Sequence, residues 1–391
     1  MIEQFSLART PLIHFGAGSF SKLPTVLRAF GPRVLLVTGA GSLDRFGVWP
    51  DLEPRLRAHG LDVHRVTIAG EPSPEFVDRV VSKQRSRLVS AVCSIGGGSA
   101  IDAGKAISAM LGADGSVVDF LEGVGTRVHP GSKIPFIAVP TTAGTGSEAT
   151  RNAVIGRIGP GGFKRSLRHD NFVPDVAIVD PQLAIYCPAG VTAACGMDAL
   201  TQLIESYVSP AASVMTDALV YTGIQHVRES LVAACTTRSH DAGTRSSMAY
   251  AALISGIALA NAGLGIVHAF AATIGGSTEI PHGVVCGSLL APATRATIRA
   301  LRERAPQHPA LGKYACIGAL LSGDYAAPPE RAWDLLVEAI EEWTSALHIP
   351  HLGAYGITTE AARTIAGQTS GKRNCIELTP REVEEIVLGR V

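Results

Sequence analysis

Ala91-Val-Cys-Ser-Ile95 runs directly into Gly96-Gly97-Gly98-Ser99, and then into Ala-Ile-Asp102-Ala-Gly-Lys105. An apolar run that empties into three glycines and resumes with helix-forming residues reads as strand, tight turn and helix. Glycine lets the backbone turn sharply and come close to a ligand. The free N–H groups and positive dipole end of the new helix suit a pyrophosphate. Ser99 can cap that helix or reach a phosphate. A strand–helix turn that holds nothing would look the same, and the string is not G-x-G-x-x-G.

The same alternation extends outward. Val34–Thr38, Asp62–Val66, Phe136–Val139 and Ala177–Asp180 read as strands, with helices over Trp49–His59 and Pro74–Arg87. Strands alternating with helices give a parallel sheet covered on both faces, an α/β, Rossmann-like arrangement. A second strand, ending at Val139, opens into Pro-Thr141-Thr142-Ala-Gly144-Thr145-Gly146-Ser147-Glu148. Two loops of glycine and hydroxyl residues after strands of one sheet strengthen the case for a bound dinucleotide. Beyond about Leu183 the texture becomes Ala/Leu-rich, with helices expected over Val191–Tyr207, Ala212–Ala234, Thr244–Asn261 and Arg331–Leu347. We therefore expect an NAD(P)-binding α/β domain over residues 1–185 and an all-helical domain over residues 186–391, with the site between them.

The bulk composition narrows the function. Of 391 residues, 46% are hydrophobic and 17% charged, enough for a large core. Acidic and basic residues balance at 34 each, so no basic surplus points to nucleic acid or an anionic membrane. The seven cysteines are scattered without C-x-x-C, which reads as reduced thiols. Met1-Ile-Glu-Gln-Phe5 has no signal-peptide character, and a cytoplasmic location is expected. Ser246 to Thr278 contains no Asp, Glu, Lys or Arg and is long enough to span a bilayer. Its glycines, Asn261 and His268 favour buried core helices instead.

The helical half holds polar candidates. Asp198 and Gln202 lie one turn apart on one helix face, both with oxygens that could approach a metal. Asp198 could equally complement a helix dipole. His268 and His282 each sit in apolar, nearly uncharged surroundings. A lone histidine there is usually a satisfied core residue. Two beside a helical Asp fit a mixed carboxylate–imidazole site for a divalent metal.

Taken together, G-G-G-S-x-x-D-x-x-K, P-T-T-x-G-T-G-S-E, G-M-D-A-L-T and N-A-G-L-G-x-V-H…P-H-G resemble the iron-containing (group III) alcohol dehydrogenase family of the dehydroquinate synthase-like superfamily. The likeness runs from Phe15-Gly-Ala-Gly-Ser19 to about Ala296 and is weakest in the C-terminal hundred residues. It implies a metal-binding helical domain and hydride exchange between NAD(P) and a small alcohol or aldehyde. It implies Asp198, His268 and His282 as catalytic metal ligands, with Fe2+ or Zn2+ as the metal. Gly39, Ser42, Gly96, Gly97, Gly98, Ser99, Asp102, Thr141, Thr142, Thr145, Ser147 and Lys164 are the expected cofactor residues. A homo-oligomer, a dimer, is expected.

Three positions depart from the family pattern. The second metal ligand, a histidine in the family, is Gln202 here, whose amide oxygen is the poorer ligand. The proton-relay histidine one turn after the first cleft His is Ala272. Where NAD-preferring members carry an Asp after the first strand, this chain has Thr38-Gly39-Ala40-Gly41-Ser42. That loop leaves room for a 2′-phosphate, so NADP(H) is favoured, with Arg45 near enough in sequence to touch it. Other readings are a metal-independent reductase of the maleylacetate type, a cyclase of the dehydroquinate synthase kind, and a non-catalytic nucleotide-binding relative.

Overall fold

The computed structural model describes residues 2–159, 161–371 and 374–391. Its first half carries β1 (Leu12–Phe15), β2 (Arg33–Gly39), β3 (Asp62–Ile68), β4 (Ala91–Gly96), β5 (Phe136–Pro140), β6 (Asn152–Arg157), β7 (Phe163–Arg168) and β8 (Val176–Val179). The helices of this half are α1 (Leu23–Phe30), α2 (Ser42–Arg45), α3 (Val48–Ala58), α4 (Pro74–Gln84) and α5 (Gly98–Met110). Six strands form one parallel sheet in the order β1-β8-β5-β4-β2-β3. Both faces are covered, because alternate residues of one strand enter different cores. Leu35 and Val37 pack with Val92, Ile101 and Phe136. Val34 and Leu36 pack with Leu27, Leu52 and Ile137 on the other face.

The five strands expected from sequence all form. Two features escaped it. β1 is a short, partly exposed edge strand. β6 and β7 make a separate antiparallel hairpin, and β7, Phe-Lys-Arg-Ser-Leu-Arg, is too charged to stand out as a strand.

The second half is helical: α6 (Ala189–Val208), α7 (Val214–Cys235), α8 (Ala242–Ala262), α9 (Ile266–Gly275), α10 (His282–Arg304), α11 (Pro309–Ser322), α12 (Pro329–Ala346), α13 (Thr359–Gln368) and α14 (Pro380–Leu388). They share one core, from Leu200 and Leu203 on α6 to Ile386 on α14. The uncharged stretch from Ser246 is not one rod. It breaks at Gly263-Leu-Gly265, and α8 and α9 meet at 98°. Among the described residues no single helix is long and apolar enough to cross a membrane.

Strand order positions the site. From β2 the chain moves to β3 on one side, then crosses to β4 on the other. In open α/β sheets such a reversal leaves a crevice beyond the C-terminal strand ends. Gly39 and Gly96 end the two flanking strands, and a Cβ placed on Gly96 would lie 3.4 Å from the Gly39 nitrogen.

Candidate active site

At this crevice the two glycine-rich loops form one cradle. β4 and β5 are neighbours, with Gly96 paired to Pro140, so their following turns lie side by side. A Cβ on Gly97 would be 3.2 Å from Thr142 Oγ1, and one on Gly98 would be 2.9 Å from Thr145 Oγ1. Helix α5 starts at Gly98 with no side-chain cap, leaving its first N–H groups available to an anion. Ser99 accordingly does not cap it. Thr145 Oγ1 donates to Ser147 Oγ at 3.0 Å, which fixes both hydroxyls of the second loop.

Beneath the cradle lies a group that sequence reading passed over. Lys105, only 1% exposed, donates from Nζ to the carbonyls of Ser147, Thr150 and Asn152 at 2.8–2.9 Å and to Thr150 Oγ1 at 3.0 Å. Its i+3 spacing from Asp102 in G-S-x-x-D-x-x-K was the available signal. Burial pushes its pKa down to about 8, against the pull of Asp102 and Glu148. Asp102 is also buried behind the cradle. Its Oδ2 accepts from the Val154 N–H at 3.1 Å, and burial pushes its carboxyl up to about 6. Thr141 follows β5, its N–H bonded to the Gly96 carbonyl.

At the far end of β2, a Cβ on Gly39 would meet nothing within 4 Å. Ser42 and Arg45 begin and end the exposed turn of α2. The guanidinium packed against this strand end is that of Arg65 on β3. It donates to Thr38 Oγ1 at 3.0 Å, grips Asp44 at 2.8 and 2.6 Å, and stacks 4.6 Å over Trp49.

The second cluster lies where α6, α9 and α10 converge. Asp198 comes from α6, His268 from the first turn of α9, and His282 and Cys286 from the first two turns of α10. Their ligand atoms all lie within 4.8 Å of one another. His268 Nε2 and His282 Nε2 stand 3.3 and 3.5 Å from Asp198 Oδ1. That oxygen, on a side chain 2% exposed, has no hydrogen-bond partner. Glu205, two turns beyond Asp198 on α6, takes His268 Nδ1 at 2.7 Å and the Val267 N–H at 2.7 Å. The Nδ1–H of His268 is thereby committed to Glu205, and its Nε2 faces the cluster.

Charge follows this geometry. Burial works against ionising Asp198, but the imidazoles of His282 and His268 hold its carboxyl down at about 2. Burial also opposes a charge on His268, yet Cys286, Asp198 and Glu205 outweigh it and raise its pKa well above the usual value. Burial keeps His282 neutral, down to about 4, against the attraction of Asp198. Burial pushes the Cys286 thiol up to about 12. A carboxylate and imidazoles are transition-metal ligands, a cation taking the place of the proton His268 otherwise holds, and an orphaned buried oxygen between them is what a bound cation would satisfy.

Gln202 is buried one turn beyond Asp198, and its Oε1 accepts from Ser255 Oγ at 3.1 Å. Ala272 follows His268 by one turn on α9. Cys286 and Glu205 were missed from sequence. Their signals were the i+4 spacing from His282 and the i+7 spacing from Asp198.

The cradle and the cluster touch. A Cβ on Gly144 would be 2.8 Å from Cys195 Cβ, and Ser255 Oγ reaches the Gly144 carbonyl at 3.3 Å as well as Gln202. The second loop therefore rests on the face of α6 and α8 beside Asp198. On the opposite side Lys164, on β7, pairs with Glu71 at 2.5 Å. A Cβ on Gly275 of α9 would sit 2.7 Å from its Cδ, and its charge helps keep His282 neutral. All seven cysteines are unpaired.

Comparison with known proteins agrees with this layout. Residues 10–181 match the model described as iron-containing alcohol dehydrogenase, and residues 192–387 match that of the Fe-containing alcohol dehydrogenase family, C-terminal. The long-chain-alcohol dehydrogenase 1 of Geobacillus thermodenitrificans is 33% identical, over 95% of this chain and 91% of that protein. The NAD-dependent methanol dehydrogenase of Bacillus methanolicus is 35% identical, over 72% of this chain and 73% of its own. A crystal structure of 1,3-propanediol oxidoreductase superposes with a TM-score of 0.89 at 29% identity, over 100% of both chains.

Proposed function

The chain belongs to the iron-containing alcohol dehydrogenase family and is an oxidoreductase of that type, and from this premise we propose that it moves hydride between NADP(H) and a small alcohol or aldehyde at a metal site built on Asp198, His268 and His282. The observation that carries the reading is Asp198 Oδ1, a buried carboxylate oxygen with imidazole nitrogens around it and no hydrogen bond. Burial works against that charge and the neighbouring imidazoles offset it; a divalent cation, Fe2+ or Zn2+, would compensate it directly.

Bound there, the metal supplies Lewis acidity toward the substrate oxygen, and the dinucleotide supplies the hydride. The chain does the rest. Gly96, Gly97, Gly98 and Ser99 present backbone N–H groups to the pyrophosphate, and Thr141, Thr142, Thr145 and Ser147 add hydroxyls. Lys105 braces the second loop from behind, and Asp102 holds β6 beside it. The Gly144–Cys195 contact sets the nucleotide end of the cleft against α6, bringing the two reactants together. Glu205 orients His268. Lys164, steadied by Glu71, puts a cation at the mouth. With Ala272 in place of a relay histidine, proton exchange falls to water or a cofactor ribose hydroxyl. NADP(H) is favoured because the space beside Gly39 is open and the Arg65 guanidinium stands at that strand end, paired with Asp44. We further assign the boundary near residue 185, a cytoplasmic location and a homodimer, with neither nucleic acid nor membrane as partner.

The test is NADPH and NADH oxidation across aldehydes and keto acids, with and without chelator, beside metal analysis of gently purified protein. We expect near-stoichiometric metal, and NADPH-dependent aldehyde reduction that a chelator abolishes and Fe2+ or Zn2+ restores. Full activity in metal-free protein would overturn the reading.

A further inference from the structure

We infer that Cys286, and not Gln202, is the fourth protein ligand of the metal, a thiolate, with the substrate oxygen entering as a fifth ligand. The inference rests on the metal reading above. Cys286 Sγ lies 3.8 Å from His268 Nε2 and 3.7 Å from His282 Nε2. The two nitrogens lie 3.3 and 3.5 Å from Asp198 Oδ1. A tetrahedral ion with ordinary zinc bond lengths separates nitrogen from oxygen by about 3.4 Å and nitrogen from sulfur by about 3.6 Å. These four of the six edges fall within 0.2 Å of those values, and the other two are no longer than 4.8 Å. The two nitrogen–oxygen edges are long for hydrogen bonds, and Asp198 Oδ1 makes none; the two sulfur edges are also within reach of hydrogen bonds between the thiol and the imidazoles. One shared centre accounts for all four.

Gln202 has a different engagement. Its amide oxygen lies 3.1 Å from Ser255 Oγ, whose single proton is shared among the Gln202, Ala252 and Gly144 oxygens. Cys286 is placed by α10, four residues after His282, so one helix face delivers both ligands. Coordination replaces the S–H bond with an S–metal bond, and the proton leaves to solvent. No electrons are transferred. A soft sulfur ligand moves the preference from iron toward zinc.

The experiment uses chelator-stripped full-length protein titrated with Co2+ alone under reducing conditions. The wild type should show a thiolate-to-cobalt charge-transfer band in the near ultraviolet. Cys286→Ser should lose that band and bind Co2+ at least about tenfold more weakly in chelator competition. Gln202→Ala should keep the band. If Cys286→Ser folds poorly, Cys286→Ala replaces it, and Cys286→Ser with Gln202→His should recover affinity without the band. Visible d–d bands without a thiolate band in the wild type, or a band that survives loss of Cys286, would overturn the assignment while leaving the metal reading intact. Failure of the wild type to bind Co2+ at all, with NADPH still bound, would overturn both.

Discussion

Glu205→Gln separates a metal site from a fortuitous polar cluster. The two oxygens of Glu205 serve two donors, the His268 ring at 2.7 Å and the Val267 N–H at 2.7 Å. Both lengths are those of charge-assisted bonds. Glutamine keeps the shape but offers one acceptor oxygen and one NH2. Whichever way the amide turns, one donor faces another donor in a buried place. If His268 loses its acceptor, its ring is no longer held with Nε2 toward Asp198. A hydrogen bond to a charged group contributes about 1.5–3 kcal/mol, and about 1.4 kcal/mol corresponds to a factor of ten. Metal affinity should therefore fall about 10- to 100-fold, the range found when such supporting carboxylates are removed elsewhere. The metal-free protein should lose about 1–3 kcal/mol of stability, the cost of one unsatisfied buried donor. The assay is competition with a chromophoric chelator at fixed pH, with NADPH affinity measured in parallel as the control. Metal affinity within about threefold of wild type, on a folded protein, would refute the claim that Glu205 holds His268 for a metal.

Three further outcomes follow from other parts of the molecule. Gly39→Asp meets no steric obstacle, and it should cut the kcat/KM ratio of NADPH over NADH at least about tenfold by repelling a 2′-phosphate; an unchanged ratio would show that this loop does not read it. Gly146 has φ +59°, and a Cβ there would lie 2.5 Å from the Gly256 backbone on α8, so Gly146→Ala should cost about 2–5 kcal/mol in denaturant unfolding, and a loss under about 1 kcal/mol would mean that the loop is not pressed on α8 as described. Burial raises the Glu148 carboxyl from 4.5 to about 7, so the folded state holds its proton longer than the unfolded state does. Its contribution is fully present below pH 4.5 and is lost as pH rises through 7. Glu148→Gln should flatten that decline, and parallel stability–pH curves for variant and wild type would rule the assignment out.

Much of the site was legible because its signals are local. Glycines after an apolar run announce a turn wherever they occur, and β4 and α5 follow from Ala91 to Lys105 alone. Asp198, His268 and His282 stood out as polar groups in apolar surroundings. Cys286 did not, because a cysteine in an apolar helix is ordinary. Glu205 looked like one more charge on α6 until His268 arrived 63 residues later. Lys105 and Arg65 were passed over for the same reason: a lysine or arginine is normally a solvated surface group, and only the packed loops show what these two hold.

The sequence by itself determined the alternation of strand and helix, the two glycine- and hydroxyl-rich loops, the change of texture near Leu183 and the family. These depend on periodicity and on residues close along the chain. The tertiary structure decided which residue completes the cluster around Asp198, what orients His268, and which guanidinium sits at the end of β2. Each of those is a distance of a few ångströms between segments far apart in the chain, and such distances exist only once the helices have packed and the strand order is set.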